Sequence, residues 1–251
     1  MWVWKGTPHT EERLTEKQFK EILSIGGFGV RNTYGFDCNE VTNFWYLIKD
    51  QNDDISSLPK KIKQYIAKAD NAFEIKQISR ELMKKEGYDV YLSAFHHYKI
   101  QEGIIPYDTY MKLMDVPEYE FWGCIFKETG KLEAYMICRK IGDICQKVAS
   151  KTNPEYLPKY YPMYGLNYHV HNYYFTQSNV KYILSGARTI TQHSNIQNFL
   201  IEKFNYRKAY CHLKIYYKWY IRIIISILYP FRRFITFRSV KALLEMHGMQ
   251  G

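Results

Sequence analysis

Two polar turns carry residue types that could bind or move charge. In Ser185-Gly186-Ala187-Arg188-Thr189, which follows a β-rich run, Arg188 presents a planar fork of donors suited to a phosphate or a carboxylate. His193, later in the same turn, titrates near neutrality and is a candidate proton acceptor. Asp37 and Glu40 lie in the turn after Arg31-Asn32-Thr33-Tyr34. Either they orient and deprotonate an acceptor amine as catalytic carboxylates, or they stabilise the turn itself, a common use of acidic side chains there. No metal site is expected. His96 and His97 are adjacent and point apart on a helix, His169 and His171 are separated by about 200°, and the five cysteines are scattered with no Cys-x-x-Cys pair. Gly26-Gly27-Phe28-Gly29 lacks the following Lys-Ser/Thr of a phosphate loop and reads as a turn before a strand.

The elements that would hold Arg188 and His193 are legible around them. Residues 180–185 form a short β-rich run, and Gly186 breaks it. Ser194 or Asn195 caps a helix over residues 195–203, with Ile196, Phe199, Leu200 and Phe204 at helical spacing. Asn205 stands where a left-handed residue ends a helix, and residues 208–217 alternate as a strand. This stretch resembles the C-terminal half of the GNAT acyltransferase superfamily, whose phrase N…FYEKxGFRK is paralleled by Asn195 and by Leu200-Ile201-Glu202-Lys203-Phe204-Asn205-Tyr206-Arg207-Lys208.

The resemblance implies a GNAT-like α/β fold with a mixed central sheet and helices on both faces. It further implies an acyl-CoA cofactor held where two central strands splay apart, its pyrophosphate at a helix N-terminus. An amine would attack the acyl group directly, aided by a base and by donors to the oxyanion. By position the cofactor would meet Lys159, Tyr164, Gly165, Arg188 and Asn195. The cleft would lie between the strands at residues 135–139 and 180–185, with the 159–165 loop at its rim. The segment 158–167 keeps one glycine of the family's Q/R-x-x-G-x-G/A signature, and Ile201 occupies the place of its thiolate-protonating tyrosine. Both departures weigh against acetyl-CoA.

A second resemblance accommodates them. Ser56-Ser57-Leu58-Pro59 opens a helix with Leu58, Ile62, Ile66 and Ala69 on one stripe and Lys60, Lys61, Lys63 and Lys68 elsewhere. It runs directly into the strand-like Phe73-Glu74-Ile75-Lys76-Gln77-Ile78. This is similar to the opening of the Fem-type peptidyltransferase domain, a GNAT variant that takes amino acids from aminoacyl-tRNA to cell-wall precursors. The resemblance implies N-acyl or aminoacyl transfer to an amine of a small molecule or an envelope precursor, with tRNA as a partner. The alternative is a non-catalytic GNAT-like module that binds through a basic, aromatic groove.

The remaining chain supplies the frame. Thr15-Glu16-Lys17-Gln18 is a capping box opening a helix. Residues 44–48, 119–125, 132–139 and 144–148 read as strands, the middle two joined as a hairpin through Gly130. Helices are expected over 79–99, 107–114 and 165–175, and the Tyr- and Pro-rich 156–164 as loop. With 251 residues, a net charge of +10 and 24 tyrosines, the chain suits one compact domain with anionic partners. The cysteine usage and the absence of a leader pattern point to a cytoplasmic setting. We expect a single domain over 1–217 and a distinct tail over 218–251. The tail's short apolar run, flanked by aromatic and basic residues, suits either a packed terminal helix or an interfacial anchor on an anionic membrane over 218–238.

Overall fold

The computed structural model describes residues 1–3, 6–97, 103–190 and 195–250. Its elements in chain order are β1 (Trp2–Val3), α1 (Glu16–Ile25), β2 (Gly29–Tyr34), β3 (Phe44–Lys49), α2 (Lys60–Ala72), β4 (Phe73–Ile78), α3 (Arg80–His97), α4 (Tyr107–Met114), β5 (Tyr119–Phe126), β6 (Leu132–Ile141), β7 (Ile144–Thr152), α5 (Leu157–Tyr160), α6 (Pro162–Thr176), β8 (Tyr182–Ala187), α7 (Asn195–Phe204), β9 (Arg207–Tyr217), α8 (Trp219–Leu228) and α9 (Arg238–His247). The chain divides into two compact units, one of Met1–Ile48, Gly186–Glu202 and Tyr206–Gly251, the other of Lys49–Ser185 and Lys203–Asn205.

In the first unit the strands lie in the order β1-β2-β9-β3. β1 is parallel to β2, and β9 is antiparallel to both β2 and β3. α1 starts as its sequence dictates: the Thr15 hydroxyl accepts the Gln18 amide, and the Gln18 side chain accepts the Thr15 amide. The glycines that follow make a turn, with Gly27 at φ +75°.

In the second unit the order is β8-β7-β6-β5-β4, antiparallel except for the parallel β7–β8 pair. Its sheet is covered on both faces. On β6, Ala134, Met136 and Cys138 pack with Leu166, Val170 and Tyr174 of α6, while Tyr135 and Ile137 pack with Met83, Val90 and Tyr91 of α3. Period-two alternation therefore serves two cores, so the strand reads as apolar from Ala134 to Cys138. α2 rests on α6 through Ile62 and Ile66, joined by Leu58 just before the helix, against Tyr164 and Tyr168.

Three sequence expectations are corrected here. Residues 156–164 are mostly helical, because Tyr161 at φ +55° breaks one short helix and Pro162, free of any need for an amide donor, starts the next. The helix expected from residue 165 thus begins at Pro162. β7 lies between β6 and β8, so the strands at 135–139 and 180–185 cannot flank a cleft; the pair that can open is β7 with β8. The hairpin of β5 and β6, the helix α4, and the left-handed Asn205 (φ +53°) after α7 stand as expected.

Candidate functional site

β7 and β8 exchange only three register pairs: Ile144 with Tyr182, Cys145 with Ile183, and Gln146 with Leu184. Past Gln146, β7 remains paired with β6 as far as Thr152. The cause of the parting is local. Ala149 opposes Ile137 and Lys147 opposes Cys138, so Val148 is an extra residue on β7. A bulge of this kind bends its strand and increases its twist. It also reverses the alternation: Cys145 packs in the α6 core, whereas Ala149 packs in the α3 core. The second unit therefore contains a fork at which the backbone edge of β7, from Lys147 onward, faces no strand of β8. An extended ligand with amide groups can pair with such an edge.

Lys147 is the first residue beyond the fork. Its Nζ donates to Asn167 Oδ1 at 2.6 Å, and Asn167, fully buried on α6, donates its Nδ2 to the Met163 carbonyl at 2.6 Å. Burial brings the Lys147 pKa down to about 8, against the opposing influence of the Cys138 and Cys145 thiols. One turn further along α6, His171 is buried, and burial, then Lys147 and Lys49, hold its pKa well below the ordinary histidine value. At the other side of the histidine ring lies Phe204, at 5.5 Å between centroids. Tyr174, another turn on, donates its hydroxyl to Glu120.

Lys49 belongs to the same polar interior. Its Nζ donates to Asp53 Oδ1 at 2.8 Å and to the Phe204 carbonyl at 2.9 Å. Asp53 Oδ1 also accepts from Asn205 Nδ2 at 3.1 Å, while Asp53 Oδ2 has no hydrogen-bond partner among the described residues. Both ion-pair members are buried, at 1% and 8% exposure. Two lysines and a histidine thus converge beneath α6.

The N-terminus of α6 is closed by aromatic rings. Tyr161 stacks on Tyr65 at 3.8 Å, Tyr164 meets Tyr65 edge-on at 4.9 Å, and Lys68 and Lys61 lie over the Tyr161 and Tyr65 rings at 5.4 and 5.8 Å. Pro162 contributes no amide donor, and the Tyr164 amide is occupied by the Tyr161 carbonyl at 2.9 Å. Lys159 is exposed beside the Tyr160 ring, at 4.7 Å. Gly165 lies inside the first turn of α6 and is buried; a Cβ there would stand 2.5 Å from Ile75 Cδ1 and 2.7 Å from Ala69 Cβ. Its sequence position suggested phosphate binding, but its environment is that of a close helix approach.

The other expected site residues belong to the first unit. Arg188 donates its amide to the Trp45 carbonyl at 2.9 Å and its Nη1 to the Asn43 carbonyl at 2.5 Å. It lines a cavity of about 330 Å³ together with Thr42, Trp45, Gln197, Ile201 and Lys208. Gln197 fixes the loop, donating to the Ala187 carbonyl and accepting from the Thr189 hydroxyl. Asp37, at φ +59°, holds Arg207 through two bonds of 2.6 and 2.7 Å. Glu40 is exposed, 3.8 Å from His212 Nε2. Asn195 is the first residue of α7. His193 lies outside the described residues. Among the described residues no three His, Cys, Asp or Glu side chains gather to hold a metal ion.

No family model matches the sequence, and no curated protein matches it. Among solved structures the chain is similar to FemX, with a TM-score of 0.57 and 9% identity over 84% of this chain and 77% of that one. It is also similar to the C-terminal domain of a protein assigned as a lysylphosphatidylglycerol synthetase from Agrobacterium fabrum, with a TM-score of 0.53 and 9% identity over 84% and 74%. A conserved protein of unknown function from Bacteroides thetaiotaomicron follows at a TM-score of 0.51 and 10% identity, over 81% and 67%. The chain has a divergent Fem-like fold, a mixed sheet with helices. At such identities the likeness shows the fold alone.

Sequence reasoning overlooked Lys147, Asn167 and Lys49 in this fold. A signal was present for two of them. Lys147 shares the parity of Cys145 in Ile144-Cys145-Gln146-Lys147-Val148, which puts a lysine on an inward face. Lys49 directly follows five apolar residues, Phe44-Trp45-Tyr46-Leu47-Ile48, and so continues a buried run.

Proposed function

We propose that the chain is an N-acyltransferase or aminoacyltransferase whose donor lies in the fork between β7 and β8. The observation that carries this reading is the bulge at Val148, which parts the strands and leaves Lys147 at the apex. A donor's amide groups would pair with the free edge of β7, bringing its carbonyl carbon near Lys147. The acceptor amine attacks that carbon, a tetrahedral oxyanion forms, and the leaving oxygen or sulfur departs with a proton. With a pKa of about 8, Lys147 holds a neutral fraction near physiological pH. It is suited to take the proton from the amine and return it to the leaving group. Once it has taken the proton, Lys147 carries a positive charge that favours the oxyanion.

The acceptor in this reading is an amine of a small molecule or of a cell-envelope precursor. Acyl-CoA and aminoacyl-tRNA are the candidate donors. The closed aromatic N-terminus of α6 supports the tRNA ester, because it offers few amide donors to a pyrophosphate. The same rings, interleaved with Lys61 and Lys68, also support a second reading, a module that binds an anionic polymer without catalysis. Thermal-shift and hydrogen-exchange measurements with acetyl-CoA, a long-chain acyl-CoA and mixed aminoacyl-tRNA separate the readings. The transfer reading expects one donor to raise the midpoint and to protect amides 147–152, with label appearing on an added amine. Binding without protection of that edge and without transfer would favour the second reading.

A further inference from the structure

The end of the chain presents an apolar surface that its own unit does not cover. α8 is fixed by one face: Ile225 is 2% exposed, and Ile221 and Leu228 beside it are half-buried. On the opposite face Trp219, Ile223 and Ile227, one turn apart from each other, are 75%, 51% and 61% exposed. With Tyr220 and Ile224 they span an arc of about 140° at 100° per residue. The surface continues past the helix in Phe231, Phe234 and Phe237, at 59%, 83% and 77% exposure. Soluble surfaces rarely leave so many large apolar side chains contiguous and open.

The charges around this surface point to its occupant. From residue 218 to 238 the chain carries Lys218, Arg222, Arg232, Arg233 and Arg238 and no carboxylate at all. A second copy of the chain meeting the same face would bring two sets of these cations together, and like charges set against each other oppose such a contact. An acidic, apolar-cored layer satisfies both features. α8 has ten residues, about 15 Å at 1.5 Å each, half of what is needed to cross a bilayer. No described helix is long and apolar enough to span a membrane. Trp219 and Tyr220 at one end and arginines at the other are the residues that settle at a headgroup boundary.

We infer that α8 and the segment through Phe237 form an interfacial anchor that docks this chain on an anionic lipid bilayer. The helix lies parallel to the surface, its exposed isoleucines and phenylalanines entering the acyl boundary and its arginines meeting lipid phosphates. The anchor does not depend on transfer chemistry. If the proposed function holds as well, the anchor favours an acceptor presented at a membrane over a freely diffusing one.

Co-sedimentation of the full chain with phosphatidylcholine vesicles, with and without phosphatidylglycerol, tests the inference. Binding should need the anionic lipid and fall roughly tenfold or more between low and high salt. The double variant Ile223→Asp/Ile227→Asp should lose roughly tenfold or more in vesicle affinity. Its circular dichroism and melting temperature should be unchanged, since both side chains already face solvent. Arg232→Glu/Arg233→Glu should weaken binding to the anionic vesicles alone. Equal binding to neutral vesicles, or undiminished binding by the Asp variant, would overturn the inference. So would wild-type chain that ignores vesicles but sediments as a dimer dissolved by the same substitutions.

Discussion

Replacing Lys147 with Met tests both the electrostatics of the fork and its proposed chemistry. A lysine whose pKa is about 8 in the folded chain and 10.5 when exposed is charged at a cost. At about 1.4 kcal/mol per pH unit, the folded state carries a penalty of ~3 kcal/mol at pH 7. The folded pKa is the lower one, so the unfolded chain binds the extra proton between pH 8 and 10.5 and the lysine's contribution to stability rises with pH across that window. By pH 9 the penalty is ~2 kcal/mol. Met removes the penalty but also the bond to Asn167 Oδ1, whose loss in a buried setting costs about 1–3 kcal/mol. The groups facing Lys147 include Cys138, Cys145, Asn167 and His171, with Glu120 and Tyr174 next to them and Lys49 beyond the histidine. The buried tyrosines Tyr110, Tyr135 and Tyr174 keep their protons well above the usual range, so they oppose the lysine above pH 10. The difference between wild type and variant isolates Lys147. Urea unfolding should show Lys147→Met as stable as the wild type or up to ~2 kcal/mol more stable at pH 7, with that advantage ~1 kcal/mol smaller at pH 9. If transfer depends on this lysine, turnover should fall by roughly 10²–10⁴. A variant destabilised equally at both pH values would refute the desolvated lysine, and unchanged turnover would remove it from the chemistry.

Three further outcomes follow from the packing. Lys49→Met should cost about 3–5 kcal/mol in urea unfolding, because it strands Asp53 in the interior; a loss under 1 kcal/mol would mean that water reaches the pair. Gly165→Val should destabilise by at least ~1–3 kcal/mol, since its side chain has to displace Ile75 and Ala69. Wild-type stability in that variant would show that α6 can move off β4. Asp37→Asn should shift the unfolding free energy by less than ~1 kcal/mol, as expected of an exposed ion pair with Arg207, and should leave transfer intact. Loss of transfer without loss of stability would return Asp37 to the catalytic role that its turn suggested.

What the sequence revealed and what it hid divide along one line. The β5–β6 hairpin, α4, the capping box at Thr15 and the left-handed Asn205 are each decided within a few residues, and all were legible. The place of β7 between β6 and β8 is decided by long-range pairing, so the opening was assigned to the wrong neighbour. The bulge at Val148 is a mismatch between two strands and has no signature in either one. The parity of Lys147 with Cys145 could be read from the sequence, but its place at the opening follows from the bulge and could not. Residues 156–164 misled for a different reason: Tyr and Pro suggest loop, yet Pro162 sits where a helix tolerates it and a single left-handed Tyr161 separates two helical pieces.

The interior of the second unit is more positive than stability alone would favour. Lys49 pairs with Asp53, Lys147 donates to the side-chain oxygen of Asn167, and burial together with the two lysines holds the His171 pKa well below the ordinary histidine value. Every such charge opposes folding unless something compensates it. Arrangements of this kind concentrate where charge must develop or move. The same strand that carries this half-buried lysine is bent by one extra residue and parts from β8 at that point. A purely structural lysine gives no reason for the opening, and a purely structural bulge gives no reason for the lysine. A negatively charged or polarised group entering the fork would meet a backbone edge and a desolvated ammonium together, which gives both features one physical cause.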